Sequence, residues 1–162
     1  MPAPDLQAPT LAVAVTALLF AGAAPVSARP AEQSARAFIV ETTWQSIRAQ
    51  YGRVWAKIHP RYQRVTTREK WEACQRRQAR ETAGFEWLSV RATDSYPDVI
   101  RLPLLGRTTV TAVSVAVVVR HPLTGRQTVR DTFYVKKVGG RWKGLWTPEM
   151  YAAYKAGRCP GT

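Results

Sequence analysis

Reactive and metal-binding side chains are scarce in this sequence. It holds two cysteines and two histidines among 162 residues, and none of these falls at a spacing that suits a zinc site. There is no Gly-rich phosphate loop, no Gly-x-Ser-x-Gly elbow and no His-Glu-x-x-His pair. Nucleotide and zinc chemistry are therefore not expected, nor is a metal or any other cofactor. Acidic residues are also few: 11 Asp and Glu stand against 24 Lys and Arg, a net charge of +13. An excess of this size favours anionic partners. The basic residues are spread along the chain, with "CQRRQAR" (74–80) the densest stretch. They are not interleaved with aromatics in a recognisable nucleic-acid module, so nucleic acid is not an expected partner.

Long apolar runs are limited to one. "LAVAVTALLFAGAA" (11–24) is uncharged, and "PVSA" after it places Val26 and Ala28 at the −3 and −1 positions of a cut before Arg29. The pattern reads as a signal peptide over 1–28, with retention as an uncleaved anchor the alternative, although the preceding "MPAPDLQAPT" has no basic residue. At about 14 residues the run is short for a membrane span, so no stable span is expected in the mature chain. Cleavage between Ala28 and Arg29 would place residues 29–162 outside the cytoplasm as one domain, in the extracellular or cell-envelope space. No cysteine lies near the cut to carry a lipid anchor.

The first half of that domain has helical periodicity. In "AEQSARAFIVETTWQSIRAQ" (31–50), Ala35, Phe38, Ile39 and Thr42 form a ragged stripe. In "YGRVWAKIHP" (51–60), Tyr51, Val54, Trp55 and Ile58 share a face, and Pro60 forces His59 out of helical geometry. A third helix is expected over 65–81, with Thr66 or Thr67 as its N-cap, and Trp71, Cys74 and Gln78 on one face. The second half alternates as strands do. The runs are 85–92, 107–120, 126–138 and 141–147, joined by turns at "HPLTG" and "GG". The strand over 107–120 is apolar on both faces, so it is covered on both sides or curls around something. Trp142 and Trp146 are expected on one face of the last strand. Thr147-Pro148 reads as the start of a terminal helical turn that Gly157 stops. The fold class is α+β.

Four stretches, "YGRVWAKIHP", Trp71-x-x-Cys74, "VGGRWKGLW" and "YAAYKAGRCP", resemble in order and spacing the nuclear transport factor 2-like (SnoaL-like) superfamily, in particular its small exported bacterial members. The resemblance spans roughly residues 33–160. It implies three N-terminal helices packed in a highly curved antiparallel or mixed sheet, a cone, closed by a short C-terminal helical turn. It also implies a cone-shaped cavity that holds a small ligand or an active site or is simply filled, and homodimers through the sheet. The superfamily hosts isomerases, dehydratases and non-catalytic domains, so the fold does not settle the function.

Cys74 and Cys159 are expected to pair as a structural disulfide in an exported chain. Asp131 alternates with Val129, Phe133 and Val135 and so shares their apolar face. A cavity-lining carboxylate there would have a raised pKa suited to acid–base work, whereas one at a sheet edge or beside an Arg would not. His59 ends the second helix and His121 ends a strand, positions that are commonly structural. Tyr51 and Trp55 form a stripe that is either core or pocket wall. The pocket candidates are thus Tyr51, Trp55, His59 and Asp131. The expected function is non-catalytic: an exported domain that binds a small molecule or an envelope or protein partner. The alternatives are a cone-pocket lyase or isomerase using Asp131, and adhesion of the basic surface to an anionic wall polymer.

Overall fold

In the computed structural model, residues 33–161 are described and lie within one compact unit. The expected targeting segment and its cleavage site lie outside the described residues. Among these residues no helix is long and apolar enough to cross a membrane.

Helix α1 (Ala35–Ile47) begins at Ser34, whose side chain accepts from the Ala37 N–H. It stops at a turn through Ala49, which has φ of 55°. The Gln50 N–H bonds back to the Gln45 carbonyl across that turn. Helix α2 (Tyr51–Lys57) ends where Ile58 and His59 turn extended, because Pro60 excludes helical geometry from the residue before it. The same proline opens a fourth short helix that the sequence pattern did not reveal, α3 (Pro60–Gln63). Helix α4 (Arg68–Glu81) is capped by Thr67, whose side chain accepts from the Lys70 N–H, which decides between the two candidate caps. Four helices, not three, therefore precede the sheet. A fifth, α5 (Pro148–Lys155), follows it as two full turns with Thr147 as N-cap.

The sheet is an antiparallel meander in the order β1-β2-β3-β4. Its strands are β1 (Glu86–Leu102), β2 (Gly106–His121), β3 (Gly125–Val138) and β4 (Arg141–Gly144). Strand β1 is twice its expected length. Asp94, Pro97 and Asp98 resemble turn residues, yet β1 is an edge strand, where a proline costs no ladder bond. A register shift between Ala92 and Asp94 absorbs the irregularity. Gly139 and Gly140 take φ of 56° and 75° in the tight β3–β4 turn.

Two apolar clusters hold the fold. In one, Ala35, Phe38 and Ile39 of α1 pack on Val90, Val113, Val115 and Val135. In the other, Tyr51, Val54, Ile58, Tyr62, Trp71 and Cys74 pack with Leu102, Val110, Leu145, Trp146 and Tyr154. Val110 and Val113 are three residues apart on one strand and so point to opposite faces. That is why β2 is apolar on both sides: each face serves a different cluster. Trp142 and Trp146 do not share a face as expected. Strand β4 ends at Gly144, which bridges to Ile58 and accepts from the His59 N–H at 2.9 Å. Trp142 then packs on the first cluster and Trp146 enters the second.

Cys74 and Cys159 form a disulfide, with their Cα atoms 5.4 Å apart. It ties the segment after α5 to α4. Beside it, Gln78 Nε2 donates to the Pro160 carbonyl at 2.8 Å.

Candidate ligand-binding site

A cavity of about 240 Å³ lies where the two clusters meet. Helix α1 supplies Phe38, Ile39, Thr42, Thr43 and Ser46 to its wall; α2 supplies Val54, Lys57 and Ile58; α4 supplies Trp71 and Gln75. Phe133 and Tyr134 of β3, the Gly144–Trp146 stretch and Met150 complete it. The wall is chiefly apolar because helix and strand faces selected for burial converge there.

The polar groups of the wall are few. Lys57 Nζ sits 2.8 Å from Glu41 Oε1 and 5.3 Å from the centre of the Phe38 ring. The short side-chain contact from the Lys57 ammonium is the main reason that Glu41's carboxyl is held below its ordinary range, followed by the hydrogen bond from the Gln33 amide. Thr42 Oγ1 donates back to the Phe38 carbonyl at 2.7 Å. Trp71 is 3% exposed, and its indole N–H finds no acceptor among the described residues. Gln75 Nε2 donates to the Tyr154 hydroxyl at 3.3 Å and to Gln78 Oε1 at 3.4 Å, both long.

An aromatic ladder backs the cavity. Trp146 stacks between Tyr62 and Tyr154, at 5.3 and 4.5 Å between ring centres, and Trp55 tilts against Trp71 at 5.6 Å. Burial raises the pKa of Tyr62 and Tyr154 to about 12. The Tyr62 hydroxyl donates to the Pro103 carbonyl at 3.0 Å.

The sequence candidates fall around this cavity rather than in it. Tyr51 is buried and lines a second cleft on the far side of Ser46 and Gln75. Trp55 lines a shallow groove formed with the turn before α4. His59 is buried and caps α3 through Nδ1, which accepts from the Arg61 N–H at 3.2 Å. Desolvation, reinforced by the charges of Arg61, Lys136 and Lys143, lowers its pKa from 6.5. Asp131 pairs with Val115 in the sheet register but is exposed, and its carboxylate accepts from the Thr132 N–H at 2.7 Å. The apolar face that it shares with Val129, Phe133 and Val135 runs out into solvent: Val135 is fully buried, while Val129 is 53% exposed. His121 accepts from the Leu123 and Thr124 N–H groups within its hairpin.

Sequence reasoning missed Lys57, Gln75, Thr43 and Ser46 as wall residues. Nothing local to Lys57 announces that its ammonium comes to rest near the Phe38 ring. Trp71 was assigned inward correctly; the unpartnered state of its N–H depends on the tertiary surroundings alone. Among the described residues, no cluster of His, Cys, Asp or Glu could hold a metal ion. No family model and no curated protein matches this chain.

Proposed function

We propose that this chain binds a small, mainly apolar molecule in the 240 Å³ cavity and does not transform it. The observation that carries the proposal is the chiefly apolar wall, in which Phe38, Ile39, Val54, Ile58, Trp71, Leu145 and Trp146 converge on unfilled space. The cavity corresponds to roughly eight water volumes at about 30 Å³ each, which suits a ligand portion of about that many heavy atoms. No carboxylate or imidazole lines it, and Lys57 is committed to Glu41. The exposed position of Asp131 gives the lyase or isomerase alternative no support. We further read the helix-packed meander as the nuclear transport factor 2-like cone. The Cys74–Cys159 bond supports export to an oxidising compartment.

Displacement of an apolar fluorescent dye by 1-octanol tests the reading. Thr43→Phe, which fills the cavity, should abolish binding, and Asp131→Asn should leave it unchanged. Full binding by Thr43→Phe would refute the proposal.

One observation favours a second reading, adhesion to an anionic polymer. Arg91 and Arg130 both pair with Ala116, so their exposed side chains flank it on one sheet face. Retention on an anionic matrix should then fall steeply with salt.

A further inference from the structure

Next to the apolar cavity lies a second cleft of about 490 Å³. The two share Ser46 and Gln75 in their walls. Beyond that shared wall the chemistry changes. The cleft presents the rings of Tyr51, Phe85 and Trp87 with the amide of Gln78 and the hydroxyl of Thr82. No residue lining it is charged, in a chain whose net charge is +13. A cleft meant for an anion would be expected to draw on that excess.

The Gln78 amide is held by the Pro160 carbonyl at 2.8 Å, but the other polar groups are under-used. The hydroxyls of Ser46 and Tyr51 carry no hydrogen bond to any described residue. The Thr82 hydroxyl makes one long bond, to the Ala79 carbonyl at 3.3 Å. Gln75, the side chain between the two spaces, is held by two contacts of 3.3 and 3.4 Å, so a small rotation of its amide exchanges them for others. Phe85 and Trp87 stand 6.4 Å apart at 48° and are half-buried. The negative face of such a ring attracts polarised C–H groups.

Resting on the reading of the inner cavity as a binding site, we infer that the ligand is an amphiphile with a neutral, hydroxyl-rich headgroup. Its short apolar tail enters the inner cavity. Its headgroup occupies the outer cleft, lies against Trp87 and exchanges hydrogen bonds with Gln75, Ser46 and Tyr51. Neutral hydroxyls can both donate and accept, which matches a wall of amides and hydroxyls better than a carboxylate does.

The test compares three probes on the wild-type chain by titration calorimetry below their micelle-forming concentrations: 1-octanol, octyl β-D-glucopyranoside and octanoate. The glucoside should bind at least tenfold tighter than octanol, and octanoate no tighter than octanol. Trp87→Leu keeps an apolar side chain but removes the ring. It should erase the glucoside's advantage and leave octanol affinity within twofold of wild type. Equal affinity for octanol and glucoside, or an advantage that survives Trp87→Leu, overturns the headgroup site while leaving the inner cavity standing. Tighter binding of octanoate overturns the neutral headgroup. If octanol itself fails to bind, the inner-cavity reading falls and takes this inference with it. The comparison of probes needs no variant, so it stands even where Trp87→Leu does not fold.

Discussion

Replacing Cys74 and Cys159 together by alanine removes a cross-link that closes a separation of 85 residues. Loop-closure entropy for that length is about 15 cal/mol/K, or roughly 4.6 kcal/mol at 25 °C, acting on the unfolded chain. Alanine suits both sites, because Cys74 is buried and Cys159 packs at the edge of the same cluster. In the folded state the tail keeps other ties. Gln78 still reaches the Pro160 carbonyl, and the Arg158 N–H still bonds to Ala153 at 2.9 Å. The native structure should therefore survive, with the loss appearing in the unfolding equilibrium. For a folded unit of about 130 residues, unfolding entropy near 60 °C is about 0.27 kcal/mol/K. A loss of 4.6 kcal/mol then lowers Tm by roughly 17 °C. Urea denaturation of the oxidised wild type and the double variant at one pH measures the difference directly. A loss below about 1 kcal/mol would refute the reasoning. It would mean that the unfolded chain already brings the two segments together, or that the bond strains the fold by nearly as much as it stabilises it.

Two further perturbations probe the core around the site. His59 has a lowered pKa through burial, so the unfolded chain binds a proton that the folded one resists. Its contribution is present above the ordinary value of 6.5 and is lost as pH falls from there toward the folded pKa, with a slope of at most about 1.4 kcal/mol per pH unit. His59→Asn keeps a side-chain acceptor for the Arg61 N–H, and urea titrations across that window should show a flatter pH dependence. An unchanged slope would count against His59 as the source. Trp146→Ala opens the aromatic ladder between Tyr62 and Tyr154 and should cost about 3–5 kcal/mol by denaturation. A cost under 1 kcal/mol would show that the ladder collapses onto itself.

Much of the fold was legible because its signals are local. Thr67 and Thr147 cap helices through their own hydroxyls. Pro60 acts on the residue before it, and the glycines at 139 and 140 satisfy a turn that needs positive φ. Each of these is settled within four residues. The pairing of Cys74 with Cys159 was legible for a different reason: two cysteines admit one intramolecular pairing. Reading failed where a distant element reverses a local preference. Pro97 looks like a strand breaker until β1 is known to be the sheet edge. The sequence also could not show that α3 would form. Pro60 and the His59 cap start it locally, but a single turn is too short to show helical periodicity, and Tyr62 against Trp146 and Arg61 on the Leu104 carbonyl add distant contacts.

The candidate site belongs to the tertiary structure. Alternation placed Asp131 on the face of Phe133 and Val135, and alternation is true of the strand. How far along that face the helices extend is decided by α1, which covers Val113 and Val135 and leaves Val129 in solvent. The sequence by itself determined the α+β class, the Thr147 cap, the turns at "HPLTG" and "GG", the disulfide and the excess of positive charge, because each depends on neighbours in the chain or on counts. The cavity and the uncharged cleft beside it arise only where residues 38 to 150 converge. A gap in packing is a property of surfaces that meet, and no one segment carries it.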